Sequence, residues 1–409
     1  MGQISGDRRV LIYSHDTFGL GHLRRCRAIA HALVEKYKHL SVMILSGSPI
    51  IGSFDFRARV DFIRVPGVIK LRNGEYTSLN LHIDIEHTLA MRTSIMGHAA
   101  EIFDPDIFIV DKEPLGLRGE IIDTLTMLKE RGTQLVLGLR DVLDEPALLM
   151  PEWRQKNVLP ALRDLYDEIW VYGLPQIWDP LADIGLPQAV RDKVTFTGYL
   201  PRPMPSTPPP LSVAESVEEP YLLVTTGGGG DGDGLIDWVL RAYESPNPPP
   251  WNALLVLGPF MQPEIQAQFQ LRVNAIPRLN SIVFDTHIEP LMANAAGIVA
   301  MGGYNTFCEI LSFDRPALIV PREVPRMEQL IRATQARNHG LTAMLLDDNG
   351  RNPEIMAEAL RELPHRNPPS YVVVPGLLDG IATVNQLVGR RLDGRQRDSG
   401  TTLARQTGG

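Results

Sequence analysis

Two short apolar runs, each followed by glycines and then by a helical pattern, limit what this chain can fold into. The first run, VLIYS at residues 10–14, leads through His15-Asp16-Thr17-Phe18-Gly19-Leu20-Gly21-His22 into LRRCRAIAHALVEKY. There Leu23, Cys26, Ile29, Ala30 and Leu33 recur at a helical period. The second run, YLLVTT at residues 221–226, leads through GGGGDGDG into a helix expected over 235–243. Continuous apolar strands of this length are buried on both faces of a parallel sheet. Strand, glycine turn and helix form the opening βα unit of a doubly wound fold.

The same alternation fills both halves. Strands are expected at 41–45, 60–65, 106–110, 133–137 and 168–171, with helices over 82–103 and 117–131. ALLVLG, SIVFDT, GIVAM and ALIVP continue the strand series after the second glycine turn. Residues 200–219 are rich in Pro, Ser and Glu and read as a linker. At 409 residues, two domains are expected. The fold class is therefore α/β, with two Rossmann-like doubly wound domains, 1–199 and 220–376, facing a central cleft. A helix is expected over 377–392, and the polar stretch 393–409 reads as a disordered tail.

The totals narrow the function. Lys plus Arg against Asp plus Glu gives 40 − 48 = −8, a balance without the basic footprint of a nucleic-acid binder. The two cysteines, Cys26 and Cys308, lie far apart inside helical patterns and read as small buried hydrophobes of a reducing compartment. No secretory pattern opens the chain, and no run approaches the ~18 apolar residues of a membrane span. A cytoplasmic enzyme is expected.

Four constellations can carry chemistry. The first is Gly19-Leu20-Gly21-His22 with Arg24 and Arg25, at a helix start where anions are attracted. It lacks the third glycine of a dinucleotide fingerprint. His22 has the near-neutral pKa of a general base for a hydroxyl nucleophile, and a capping or packing role is its alternative. The second is Gly227, Gly228, Gly229 and Gly230, whose entropic cost is explained by close approach to a diphosphate or, alternatively, by a surface loop. No Gly-Lys-Ser/Thr follows, which excludes a Walker A loop. The third runs from Gly302 and Gly303 through Asn305 and Thr306, both suited to capping a helix, to Glu309, Glu328 and Gln329. Phe284 and His287 precede it at a strand end, where a nucleobase edge can be read; His287 either contacts a donor phosphate or is a loop histidine with no role. The fourth is Asp111-Lys112-Glu113, able to hold an acceptor or orient His22, or else a solvated loop; Arg140-Asp141 has the same ambiguity. His82, Asp84, His87 and His98 lack metal-ligand spacing and read as a solvated helical face, so no metal and no cofactor are expected. Asp231 and Asp233 read as caps of the following helix.

At these residues the chain resembles glycosyltransferase family 28, the group of the peptidoglycan N-acetylglucosaminyl transferase MurG. The matching pieces are the glycine turn after strand 221–226, then Gly302-Gly303-x-x-Thr306-x-x-Glu309, Pro316, Pro321, Glu328-Gln329 and Ala333. Gly19-x-Gly21-His22 is similar to the family's first glycine loop. The resemblance implies a GT-B fold, with the helix over 377–392 crossing back to the N-terminal domain. It implies that Glu309 binds the donor ribose, that Gln329 and Glu328 contact the donor sugar, and that Thr306 and the Gly227–Gly230 loop hold the diphosphate. His22 would stand near the reaction centre. From the residues themselves, Gly21 is expected at the donor and Asp111 is expected to act with His22. The implied activity is inverting, metal-independent transfer from a nucleotide-sugar, a UDP-sugar, to the hydroxyl of a glycan, lipid-linked or small-molecule acceptor. A lipid-linked acceptor would bring peripheral membrane contact without a transmembrane segment. Two departures from the MurG pattern stand out: Glu328 where an amide is usual, and HDTFGLGH in the first loop. GLGHLRRCRAIA also resembles the nucleotide-sugar hydrolase PseG, so a hydrolase is the alternative enzyme, and a non-catalytic nucleotide-sugar-binding relative is the third reading.

Overall fold

Two parallel sheets frame the protein in the computed structural model, which describes residues 7–15, 21–70, 75–204, 217–228, 230–285, 287–324, 326–347 and 350–406. The first sheet contains β1 (Arg8–Ser14), β2 (Leu40–Ser46), β3 (Val60–Arg64), β6 (Ile107–Asp111), β7 (Gln134–Arg140), β8 (Glu168–Tyr172) and β9 (Val194–Phe196). Between β3 and β6 the chain makes a small antiparallel hairpin, β4 (Val68–Lys70) with β5 (Tyr76–Ser78). The second sheet contains β10 (Tyr221–Thr225), β11 (Asn252–Val256), β12 (Leu279–Ile282), β13 (Gly297–Ala300), β14 (Ala317–Ile319) and β15 (Ala343–Met344). The orders are β3-β2-β1-β6-β7-β8-β9 and β12-β11-β10-β13-β14-β15. In each sheet the first strand is central, and strand order reverses beside it. Ligands of open α/β sheets bind in the crevice beyond such a reversal.

The alternation of side chains explains why the central strands are apolar throughout. Val10 and Ile12 pack under the helix Gly21–Lys36, against Cys26, Ile29, Ala30 and Leu33. Leu11 and Tyr13 face the other way, onto Met96, Leu125 and Leu128. In the second sheet Leu222 and Val224 meet Ile236, Val239 and Leu240, while Leu223 meets Leu291 and Ile310. One cluster is common to both halves: Tyr172 and Tyr199 of the first pack with Tyr304, Phe307 and Leu311 of the second.

Several boundaries differ from the sequence pattern for local reasons. The expected helix over 117–131 is a short 3-10 turn, Leu117–Gly119, followed by a helix over Ile122–Glu130. Arg118 and Gly119 adopt positive φ and break the run. The helix expected from residue 82 starts at Ile85, where the Asp84 side chain accepts a hydrogen bond from the His87 backbone N–H. The last helix spans Gly380–Gln406, beyond Leu392, so 393–406 is helical where a disordered tail was expected. No proline interrupts that stretch, and helix propensity alone tolerates its glycines at modest cost. Residues 407–409 and most of the proline-rich linker, 205–216, lie outside the described residues. Among the described residues no helix is long and apolar enough to cross a membrane.

The last helix lies on the N-terminal sheet's helix layer. Val384, Val388 and Leu392 join the core of the first domain, and the Tyr37 hydroxyl donates to the Asn385 carbonyl at 2.6 Å. Gly380 allows this docking. A Cβ there would sit 2.5 Å from the Tyr199 carbonyl oxygen and 2.6 Å from that of Gly198, both backbone atoms. Gly380→Ala is expected to destabilise the protein by roughly 1–3 kcal/mol, the range for overpacking a rigid site. A lowered midpoint in urea unfolding checks it, and an unchanged midpoint refutes the assigned docking.

Candidate active site

The crevices of the two sheets open onto one cavity of about 440 Å³, a volume typical of small-molecule sites. The N-terminal side contributes Gly21, His22, Arg24, Arg25 and Arg140. The C-terminal side contributes Gly227, Gly228, Gly230, Phe284, Gly303, Asn305, Thr306, Glu309 and Gln329. Gly229 lies outside the described residues.

His22 stands on the first turn of the helix that follows β1, and β6 ends beside it at Asp111. Nδ1 of His22 is 2.5 Å from Asp111 Oδ2. Arg25, one turn further along the same helix, donates Nε to Asp111 Oδ1 and Nη2 to Oδ2, both at 2.7 Å. Burial alone would push the Asp111 carboxyl up, but Arg25 and the His22 hydrogen bond hold it well below the usual carboxylate range. An ionised Asp111 accepts the Nδ1 proton, which fixes the tautomer and leaves Nε2 with its lone pair. The 3.1 Å approach of Arg25 Nη2 to Nδ1 is then a contact between two donors to the same carboxylate. Burial lowers the His22 pKa and outweighs the opposing pull of Asp111. The ring is therefore neutral at pH 7 and able to accept a proton.

The donor-side residues are sorted by the geometry. Asn305 and Thr306 do not cap their helix, which spans Tyr304–Phe313 with Gly303 before it and no side-chain cap. Asn305 instead donates Nδ2–H to the Gly21 carbonyl across the cleft at 2.9 Å and accepts from Arg202 at 2.7 Å. Glu309 is buried on the cavity wall, where Arg24 donates to Oε1 at 2.5 Å. Burial raises the Glu309 pKa, opposed by Arg24. Arg24 also reaches Glu289 at 3.1 Å. Gln329 accepts the Arg322 backbone N–H at 3.2 Å.

Three expected donor residues stand off the cavity wall. Gly302 adopts φ +81°, its Cβ position is 2.7 Å from Ile319, and its carbonyl accepts from Arg332 at 2.8 Å; its place is structural. His287 is half-exposed, with Nε2 3.4 Å from Asp55 and Nδ1 3.8 Å from Asp285, an acidic setting that does not suit a phosphate contact. Glu328 is turned from the cavity by its ion pairs with Arg140 and Arg322. Neither Asp231 nor Asp233 caps by its side chain. The helix Asp233–Tyr243 has Gly232 as its cap residue, Asp233 lies in the first turn, and Asp231 pairs with Arg322.

Sequence spacing missed the buried pairs between domains. Arg332 donates Nε and Nη2 to Asp141 at 2.8 and 2.6 Å, and the Tyr199 hydroxyl donates to the same carboxylate at 3.1 Å. The Tyr304 ring lies between Arg25 and Arg332, with guanidinium carbons 5.3 and 5.8 Å from its centroid. Partners some 190 residues apart leave no local pattern; a strand-end Arg-Asp, at 140–141, was the sole signal. Cys26 and Cys308 are both buried, and burial pushes the Cys308 thiol up to about 11. Among the described residues, no three His, Cys, Asp or Glu side chains gather as a metal site.

Residues 252–371 match the Glycosyltransferase family 28 C-terminal domain. The protein is a glycosyltransferase of the GT-B fold. The glycosyltransferase is 24% identical over 395 residues to an uncharacterized glycosyltransferase of Methanosarcina acetivorans, covering 91% of this chain and 96% of the relative. Its fold is similar to that of a UDP-glucosyltransferase from Polygonum tinctorium capable of glucosylating indoxyl (TM-score 0.61, 12% identity, 95% and 99% of the two chains). It is also similar to MurG of Acinetobacter baumannii (TM-score 0.52, 13% identity, 93% and 95%). The family match covers Phe284, the stretch from Gly302 to Glu309, and Gln329, whereas Gly227–Gly230 precede it.

Proposed function

We propose that this glycosyltransferase moves a sugar from a nucleoside diphosphate sugar, of the UDP-sugar class, to an acceptor hydroxyl with inversion at the anomeric carbon. The observation that carries this reading is that His22, paired with Asp111, lines the same cavity as Gly227, Gly228 and Gly230. His22 Nε2 takes the acceptor proton while the acceptor oxygen attacks the anomeric carbon. The bond to the diphosphate oxygen breaks with its electron pair, and one displacement inverts the centre. Backbone N–H groups of the glycine turn and the N-termini of the helices Asp233–Tyr243 and Tyr304–Phe313 meet the departing charge. Glu309 receives the ribose hydroxyls, Gln329 the sugar, Thr306 the diphosphate and Phe284 the base. The likeness to a UDP-glucosyltransferase supports the uridine assignment, and the chemistry runs without a metal or other cofactor.

Incubation with a panel of UDP-sugars, with and without acceptor alcohols, tests the reading. Release of UDP that depends on acceptor supports transfer. Equal release without acceptor assigns the protein to hydrolysis, and binding without any release leaves neither enzyme reading standing.

A further inference from the structure

The acid at position 328 has a structural reason. Glu328 Oε2 accepts from Arg140 of the first domain, and Oε1 accepts from Arg322 Nη2 of the second at 3.4 Å. Arg322 also donates Nη1 to Asp231, the residue that follows the glycine turn. The result is a chain of alternating charges, Asp231–Arg322–Glu328–Arg140, that starts at the turn and crosses the cleft. Asp231, Arg322 and Arg140 line the cavity. The Nε–H of Arg140 and that of Arg322 are both buried without an acceptor among the described residues. A buried donor left unpaired is costly, and each guanidinium has five N–H donors, more than its carboxylate partners use. An amide at 328 has one neutral acceptor oxygen and could not hold two cations in this position.

We propose that Arg322 and Arg140, positioned by Glu328, form a cationic subsite for the donor's diphosphate and take up the negative charge of the leaving group. This rests on the nucleoside diphosphate sugar reading above. A diphosphate has the several anionic oxygens that two guanidiniums beside a glycine turn require, and Arg binds phosphate in forked geometry. As the anomeric C–O bond breaks, its electron pair stays on the β-phosphate oxygen. The acceptor's proton goes to His22, and the arginines transfer none. Arg140 and Arg322 come from opposite domains, so the diphosphate also draws the two walls together.

Titration of the full chain with UDP and with uridine separates phosphate contacts from base and ribose contacts. Arg322→Met should weaken UDP roughly ten- to hundredfold, the loss of a charge-assisted hydrogen bond, and leave uridine affinity unchanged. Arg322→Lys keeps a charge and the fold and should fall between the two. Glu328→Gln should lower UDP affinity with no change for uridine and flatten its salt dependence. Undiminished UDP binding by Arg322→Met, or an equal loss for uridine, overturns the subsite. Failure of the unaltered protein to bind UDP or any other nucleoside diphosphate overturns the donor reading itself and the subsite with it.

Discussion

His22→Ala lowers the rate of transfer roughly 10²- to 10⁴-fold, the contribution of a positioned general base, and leaves UDP affinity unchanged. The split follows from the geometry. Nδ1 of His22 is engaged by Asp111, which leaves Nε2 to take the acceptor proton in the proposed reaction. The pH profile of kcat/KM carries a second signature. Only the neutral ring accepts a proton, so activity falls as pH drops through the His22 pKa. Burial lowers that pKa, which puts the acid limb below the ordinary histidine value of 6.5. Asp111 opposes the shift, so Asp111→Asn should move the limb further toward acid and lower the plateau. Full turnover by His22→Ala would remove the base assignment, and a limb above 6.5 would contradict the burial argument.

Arg332→Met has the largest expected effect on stability. Asp141 and Arg332 are each about 1% exposed, and the pair is bidentate. Removing one member of such a pair strands a buried charge and costs about 3–5 kcal/mol. The Tyr199 hydroxyl and the Val142 backbone N–H remain to donate to Asp141, and two neutral donors are too little to offset the lost cation. The double variant Arg332→Met, Asp141→Leu removes both charges and should recover most of the deficit. Urea unfolding of the single and double variants decides the matter. A double variant no better than the single would show that the pair's geometry, and not an uncompensated charge, sets the cost.

Much of this was legible in the sequence because it follows local rules. Both central strands and the helices after them come from period and composition. His22 and Gln329 reach the cavity from the first turns of their helices, where the fold places ligands, and Glu309 reaches it from further along the helix Tyr304–Phe313. Gly302, Glu328 and His287 belong to the same motifs yet stand off the wall, since motif spacing does not give side-chain direction. The reversal at Asn305, from expected cap to bridge onto Gly21, has a similar origin. Its backbone lies one residue inside the helix, and the partner for its amide is 284 residues away. Cross-domain partners such as Arg24–Glu309 and Arg332–Asp141 obey no periodicity, and topology alone brings them together.

The aromatic cluster common to both halves limits how such a chain can be recombined. Tyr199 stacks on Tyr304 at 6.1 Å and meets Phe307 edge-on at 5.2 Å, rooting the helix Tyr304–Phe313 in the N-terminal half. The last helix returns to the N-terminal domain as well. A graft of a foreign C-terminal half onto residues 1–199 would uncover Tyr172 and Tyr199 and leave the N-terminal domain without its final helix. Chimeras of this protein should therefore fold only when the seam residues and the terminal helix travel with their native counterpart, so the halves are not interchangeable modules.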